Sequence, residues 1–146
     1  MNKNEMKLIF DSYSGNEGFA RTAVAAFLAE LNPTLDELAD VKTAVSEAVT
    51  NSIIHGYEEQ IAKIELTCQV EEQSVTIIVE DFGKGIADIE KAREPFFTTK
   101  PELERSGMGF AFMEAFMDEV EVTSVCGKGT KVFLRKKIGE GETACR

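Results

Sequence analysis

Residues 61–70 constrain the fold more than any other stretch. Ile64, Leu66, Cys68 and Val70 alternate with Lys63, Glu65, Thr67 and Gln69. A period of two puts one side of a strand against an apolar core and the other toward water. Glu71-Glu72-Gln73-Ser74 is short and polar, and Val75–Glu80 beyond it is rich in β-branched residues. The two runs therefore make a hairpin, and strands joined this closely run antiparallel. The same reasoning pairs Val120–Val125 with Lys131–Lys136 across the tight turn Cys126-Gly127-Lys128-Gly129. A sheet with one apolar face needs a second layer to cover it.

Amphipathic helices supply that layer. Asn16 is expected to cap a helix running to about Leu31, in which Phe19, Ala23, Phe27 and Leu31, with Ala20, Val24 and Leu28, form an apolar stripe. Asn32-Pro33 turns the chain. Thr34 followed by Glu37 is a capping box, and Leu38, Val41, Val45, Ala48 and Val49 then recur at helical spacing. Gly56 is expected to stop this second helix by adopting positive φ. A third helix opens at Gly107-Met108-Gly109, with Phe110, Met113, Phe116 and Met117 on its apolar face. With a short strand at Lys7–Asp11, the order predicts an α+β two-layer sandwich: one mixed or antiparallel sheet with helices on one face. No internal repeat or linker divides the chain, so residues 1–138 are expected to form one domain. The Gly- and Glu-rich tail, 139–146, is expected to fray.

At 146 residues the chain is long enough to bury one proper core. A net charge of −10 argues against direct nucleic-acid binding and favours a basic protein surface as partner. No apolar run reaches the roughly 20 residues of a membrane span, and the N-terminal residues form no signal-peptide core. Three widely spaced cysteines and a single histidine suit neither a disulfide framework nor a zinc site, and they fit a reducing cytoplasm.

Polar and glycine clusters stand at the ends of these elements. Glu47, Asn51 and His55 are spaced by four, so on a regular helix they stack along one side. Asp81-x-Gly83-x-Gly85 follows a strand, and Gly107-x-Gly109 begins a helix. Each alone has an ordinary reading: boundary side chains facing solvent, a turn, a bare helix start. Taken together they describe a nucleotide site. A glycine-bearing helix N-terminus is a phosphate seat. A carboxylate between strand and glycines accepts from an exocyclic amine. The Asn51 oxygen suits Mg²⁺ shared with phosphates. Glu47, one turn earlier, is placed to take a proton from a hydroxyl attacking the γ-phosphate. Asp88–Ala92 reads as a short helix. Arg93–Ser106 holds Pro95 and Pro101 around Phe96-Phe97-Thr98-Thr99-Lys100, has neither period, and reads as a lid. His55 is assigned only a hydrogen bond at the helix C-terminus.

Glu47 to Tyr57, Asp81-x-Gly83-x-Gly85-Ile86, Phe97 to Phe110 and Gly127-x-Gly129-Thr130 resemble the motif boxes of the GHKL ATP-binding fold, the superfamily of gyrase B, Hsp90, histidine kinases and MutL. The whole set, and the lid above all, resembles the anti-sigma-F kinases of endospore-forming bacteria; the anti-sigma-B (RsbW-type) kinases are the alternative. The resemblance implies a cytoplasmic serine protein kinase that uses ATP and Mg²⁺, with ADP favouring a stable complex with its anti-anti-sigma substrate. It implies Glu47 as catalytic base and Asn51 as magnesium ligand. Asp81 then reads the adenine amino group with help from Thr130, and Gly83 and Gly85 keep the loop close to the nucleotide. Thr98, Thr99 and Lys100 fall in the ATP lid, and Arg105, Ser106, Gly107, Met108 and Gly109 surround the β- and γ-phosphates. Arg21, which spacing alone leaves as a solvated charge, matches a partner-contacting arginine. The implied partners are sigma-F, an anti-anti-sigma protein (SpoIIAA type) and a second copy of the chain. Two departures from the superfamily pattern stand out. Ala87 replaces a common proline, and Ser52 replaces a common alanine on the same site. A module that sequesters a sigma factor with ATP as a purely structural ligand, and a gyrase-like ATPase, are the rival readings.

Overall fold

The central hairpin of the sequence is also the middle of the sheet. In the computed structural model, which describes residues 3–58, 60–86 and 109–139, five strands form one sheet. They are β1 (Lys3–Asp11), β2 (Lys63–Glu71), β3 (Ser74–Asp81), β4 (Glu119–Val125) and β5 (Gly129–Lys137). Their order is β1-β2-β3-β5-β4, and every neighbouring pair is antiparallel. The sheet is thus antiparallel throughout, the second of the two expected forms.

Among the described residues three α-helices cover one face: α1 (Asn16–Phe27), α2 (Leu35–Asn51) and α3 (Gly109–Phe116). α2 lies between the other two. Ile64, Leu66, Cys68 and Val70 point inward, as their alternation requires, and join Val75, Ile77, Val79, Val132 and Leu134 from the neighbouring strands. Val24, Leu28, Val41, Val45, Val49 and Met113 meet them from the helices. Each large apolar side chain buried this way contributes about 1.5–3 kcal/mol. The opposite face is mixed in charge, with cross-strand pairs Lys7–Glu65 at 2.9 Å, Lys63–Asp11 at 2.8 Å and Arg135–Glu119 at 3.1 Å. Such exposed pairs add little. Among the described residues no helix is long and apolar enough to cross a membrane.

The ends of the elements depart from expectation in three places. The first helix is α-helical only to Phe27; Leu28–Leu31 tightens to a 3₁₀ turn, and Asn32 closes it at φ 55°. Pro33 next in line disfavours the right-handed helical form at Asn32. Asn16 does not cap that helix. It is the first helical residue, and its amide instead donates to the Asp11 carbonyl at 2.8 Å, tying the helix to the end of β1. Gly56 does not end the second helix through positive φ. α2 runs on into a π turn, Ser52–Gly56, closed by the Tyr57 N–H on the Ser52 carbonyl at 3.1 Å, and positive φ appears at Glu58. The capping box at the other end forms as expected. Glu37 N–H donates to Thr34 Oγ1 at 3.0 Å, and Thr34 N–H donates to Glu37 Oε1 at 2.9 Å. The short helix expected at 88–92 and the lid at 93–106 lie outside the described residues.

Candidate functional site

The site is built along α2. Glu47 and Asn51 sit one turn apart, both half-buried. The first residue of α3, Gly109, packs directly on them. A Cβ at Gly109 would lie 3.2 Å from Asn51 Nδ2, 3.4 Å from Asn51 Oδ1 and 3.4 Å from Glu47 Oε1. Glycine thus leaves a helix N-terminus, with its free N–H groups and positive dipole end, beside a carboxylate and an amide. The i, i+4 stack ends at Asn51. The π turn puts an extra residue into the next turn, so His55 leaves that line.

Asp81, at the end of β3, is 3% exposed. Burial pushes its carboxyl above the ordinary 3.8, and three hydrogen bonds oppose that shift. They come from the Gly83 N–H to Oδ1 at 3.0 Å, the Ser52 hydroxyl and the Thr130 backbone. Thr130 is itself buried and stands opposite Asp81 in the β3–β5 register. Its hydroxyl is 2.9 Å from that of Ser124, which also accepts from the Ile86 N–H at 2.6 Å.

The glycines around Asp81 are there for space and for φ. A Cβ on Gly56 would meet the Asp81 carboxylate at 2.9 Å, and one on Gly83 would stand 2.1 Å from the Gly56 carbonyl. Gly85 has φ 80° and Gly129 φ 126°, and a Cβ there would strike the carbonyls of Val125 and Asp81 at 2.5 and 2.1 Å. The close backbone approach expected of Gly83 is therefore first an approach to the end of α2. The Lys84 N–H confirms this contact by donating to the Gly56 carbonyl at 3.0 Å.

Consecutive residues of one helix serve the two halves of the site. Asn51 faces Gly109, and Ser52 holds Asp81. Sequence reasoning placed Ser52 on the site without its bond, and it passed over Gly56, Tyr57 and Ser124 as contributors. Glycine's freedom at positive φ makes Gly56 look like a helix stop. The signal that does mark it is a Gly-Tyr pair directly after Asn51's helix, facing a strand-end carboxylate. Arg21 lies apart from this cleft, on α1. It pairs with Glu17 at 2.5 Å, and its Nη1 is 3.4 Å from Ser46 Oγ; the Ser46 hydroxyl also donates to Glu17. Thr98, Thr99, Lys100, Arg105, Ser106, Gly107 and Met108 lie outside the described residues. Among the described residues no three His, Cys, Asp or Glu side chains gather into a protein-only metal cage.

Residues 16–136 match the model of the histidine kinase-like ATPase domain family. The chain is 55% identical over 142 residues to an anti-sigma F factor of Oceanobacillus iheyensis, covering 97% of each. It is 56% identical over 144 residues to one of Geobacillus kaustophilus, covering 98% of this chain and 99% of that one. Among solved structures, the RsbU and RsbW domains of a Mycobacterium tuberculosis protein superpose with TM-score 0.68 at 21% identity, over 92% of this chain and 32% of that one. A histidine kinase domain from Erythrobacter litoralis superposes with TM-score 0.56 at 17% identity, over 89% of this chain and 63% of that one. The structural likenesses establish the fold, and the sequence likenesses reach across nearly the whole chain. A helix that sets Glu47 and Asn51 against Gly109 and Ser52 against Asp81 is accordingly the frame of a shared ATPase domain, and this chain belongs to the anti-sigma F factor family of histidine kinase-like ATPases.

Proposed function

We propose that the chain is a serine protein kinase and anti-sigma factor. It holds a sigma factor of the sigma-F class away from RNA polymerase core and phosphorylates a serine of the anti-anti-sigma protein. The observation that carries this reading is the convergence of Glu47 and Asn51 on Gly109. It sets a base, an oxygen ligand and a helix N-terminus within one small volume, which phosphoryl transfer requires. The relatives' names, anti-sigma F factor, favour this choice over the sigma-B class.

Adenine lies against the Asp81 end, where the carboxylate accepts from its amino group and Thr130 assists. Gly83 and Gly85 let the loop approach it. The triphosphate runs along α2 toward Gly109; the family resemblance assigns Arg105, Ser106, Gly107 and Met108 to the phosphate seat and Thr98, Thr99 and Lys100 to the lid. Asn51 fits Mg²⁺: it offers a neutral oxygen in a cradle that any side chain at position 109 would fill. Bound there with the phosphates, the ion offsets the charge of the triphosphate. The partner's serine oxygen bonds to the γ-phosphorus as the bond to the ADP oxygen breaks, and the serine proton passes to Glu47. Arg21, held by Glu17 on the outer helix, faces the protein partners. A second copy pairs through the long edge strand β1, which among the described residues has β2 as its one neighbouring strand.

The test is Glu47→Ala, mixed with ATP, magnesium and the anti-anti-sigma protein, with the phosphate located by mass. Phosphotransfer should fall at least about 10²-fold while ATP affinity holds within a few-fold. An unchanged rate would remove Glu47 as base.

A further inference from the structure

The hydroxyl of Tyr57 stands between β2 and β3 at the point where their ladder stops. Ile64 opposite Asp81 is the last pair, so the same register would next bring Lys63 opposite Phe82. No direct bond forms there. The Phe82 N–H donates to the Tyr57 oxygen at 2.8 Å, and the Tyr57 O–H donates to the Lys63 carbonyl. One phenol oxygen thus stands in for the missing ladder bond and holds the two strands apart. The ring is half-buried, and burial pushes its pKa above 10.0, so the hydroxyl keeps the proton it donates. Its backbone is fixed as well, because the Tyr57 N–H closes the π turn on Ser52, whose hydroxyl bonds Asp81. Phe82 lies between Asp81 and the Gly83 N–H that holds Asp81. Where Phe82 sits therefore sets where the carboxylate points.

We propose that Tyr57 is a positioning residue that determines base specificity: by intercepting the next β2–β3 bond it holds Asp81-Phe82-Gly83 away from β2, where Asp81 meets an exocyclic amine. The proposal rests on the reading of Asp81 as the adenine acceptor. Without the hydroxyl, Lys63 and Phe82 bond directly and the loop is drawn toward β2.

The full chain and its Tyr57→Phe variant are titrated calorimetrically with ADP and with IDP, whose base lacks the amine, in the presence of magnesium. Wild type should prefer ADP. In Tyr57→Phe, ADP affinity should fall roughly 5–10-fold, the scale of one hydrogen bond, while IDP affinity moves less than about two-fold. An ADP-to-IDP ratio equal to that of wild type, whether both affinities hold or both fall, overturns the role of Tyr57. Wild type that binds ADP and IDP alike overturns the underlying adenine reading, and this proposal with it. If the variant does not fold, hydrogen exchange of wild type gives the second measurement. The Phe82 amide should be protected without nucleotide, and exchange at the rate of an open loop would overturn the proposal.

Discussion

Asp81 is a carboxylate held almost out of water, and its chemistry follows from that. Burial favours the neutral form, so the folded chain binds this proton more tightly than the unfolded chain does. The contribution of Asp81 to stability is therefore greatest below its ordinary 3.8 and is lost as pH rises through its elevated value. An adenine acceptor needs the opposite, the ionised form. On the proposed reading, ADP affinity should fall as pH drops through that elevated value, while the Asp81 contribution to stability returns. Asp81→Asn should lower ADP affinity about 10–100-fold, the scale of a charge-assisted hydrogen bond, and should flatten the acid limb of the binding curve. Calorimetric titration across the acid range checks both. The place of Asp81 after a strand rich in β-branched residues and before two glycines was legible in the sequence. The Ser52 hydroxyl and the Gly56 backbone that support it were not, because nothing local links the end of a helix to a strand that comes after an intervening hairpin partner.

α2 is the element on which both halves of the site depend. Its start is decided locally: Thr34 and Glu37 satisfy each other's backbone N–H groups through contacts three residues apart. Thr34→Ala should cost about 1 kcal/mol and lower the melting temperature by roughly 2–4 °C in a calorimetric scan. Affinity for nucleotide should hardly change, since that end of the helix lies away from Glu47 and Asn51. Its far end is decided by tertiary contact. Local rules give Gly56 the part of a left-handed stop, yet the helix widens into a π turn in which Ser52 bonds Asp81 and Gly56 leaves room for its carboxylate. π turns of this kind gather at functional sites. The stacking of Glu47 on Asn51 was readable from spacing. The departure of His55 from that stack was not.

Across the whole molecule, burial separates two thiols as their sequence settings suggest, one on the apolar side of a strand and one in a turn. Cys68 sits inside the sheet-to-helix core at 0% exposure, and burial pushes its thiol up to about 12. Cys126 is exposed at the β4–β5 turn. In a Cys145→Ser chain, an alkylating reagent should modify Cys126 at once, because the reagent can reach it. Cys68 should react only as denaturant unfolds the chain, with the same midpoint as the loss of circular dichroism. Peptide mass mapping along a urea series would show it, and early labelling of Cys68 would mean that the sheet opens locally without global unfolding.

Taken by itself, the chain determined its two hairpins, their antiparallel sense, the inward faces of strands and helices, and the capping box. All of these rest on contacts within a few residues or on a period of two or 3.6. It also carried the residue types of a nucleotide site and their family resemblance. Only tertiary structure decided that β5 lies between β3 and β4, that Gly109 meets Glu47 and Asn51, and that Gly56 yields its side-chain space to Asp81. The reason is physical. Local periodicity states which face of an element must be buried, while the choice of which buried face meets which is made by packing between segments far apart in the chain.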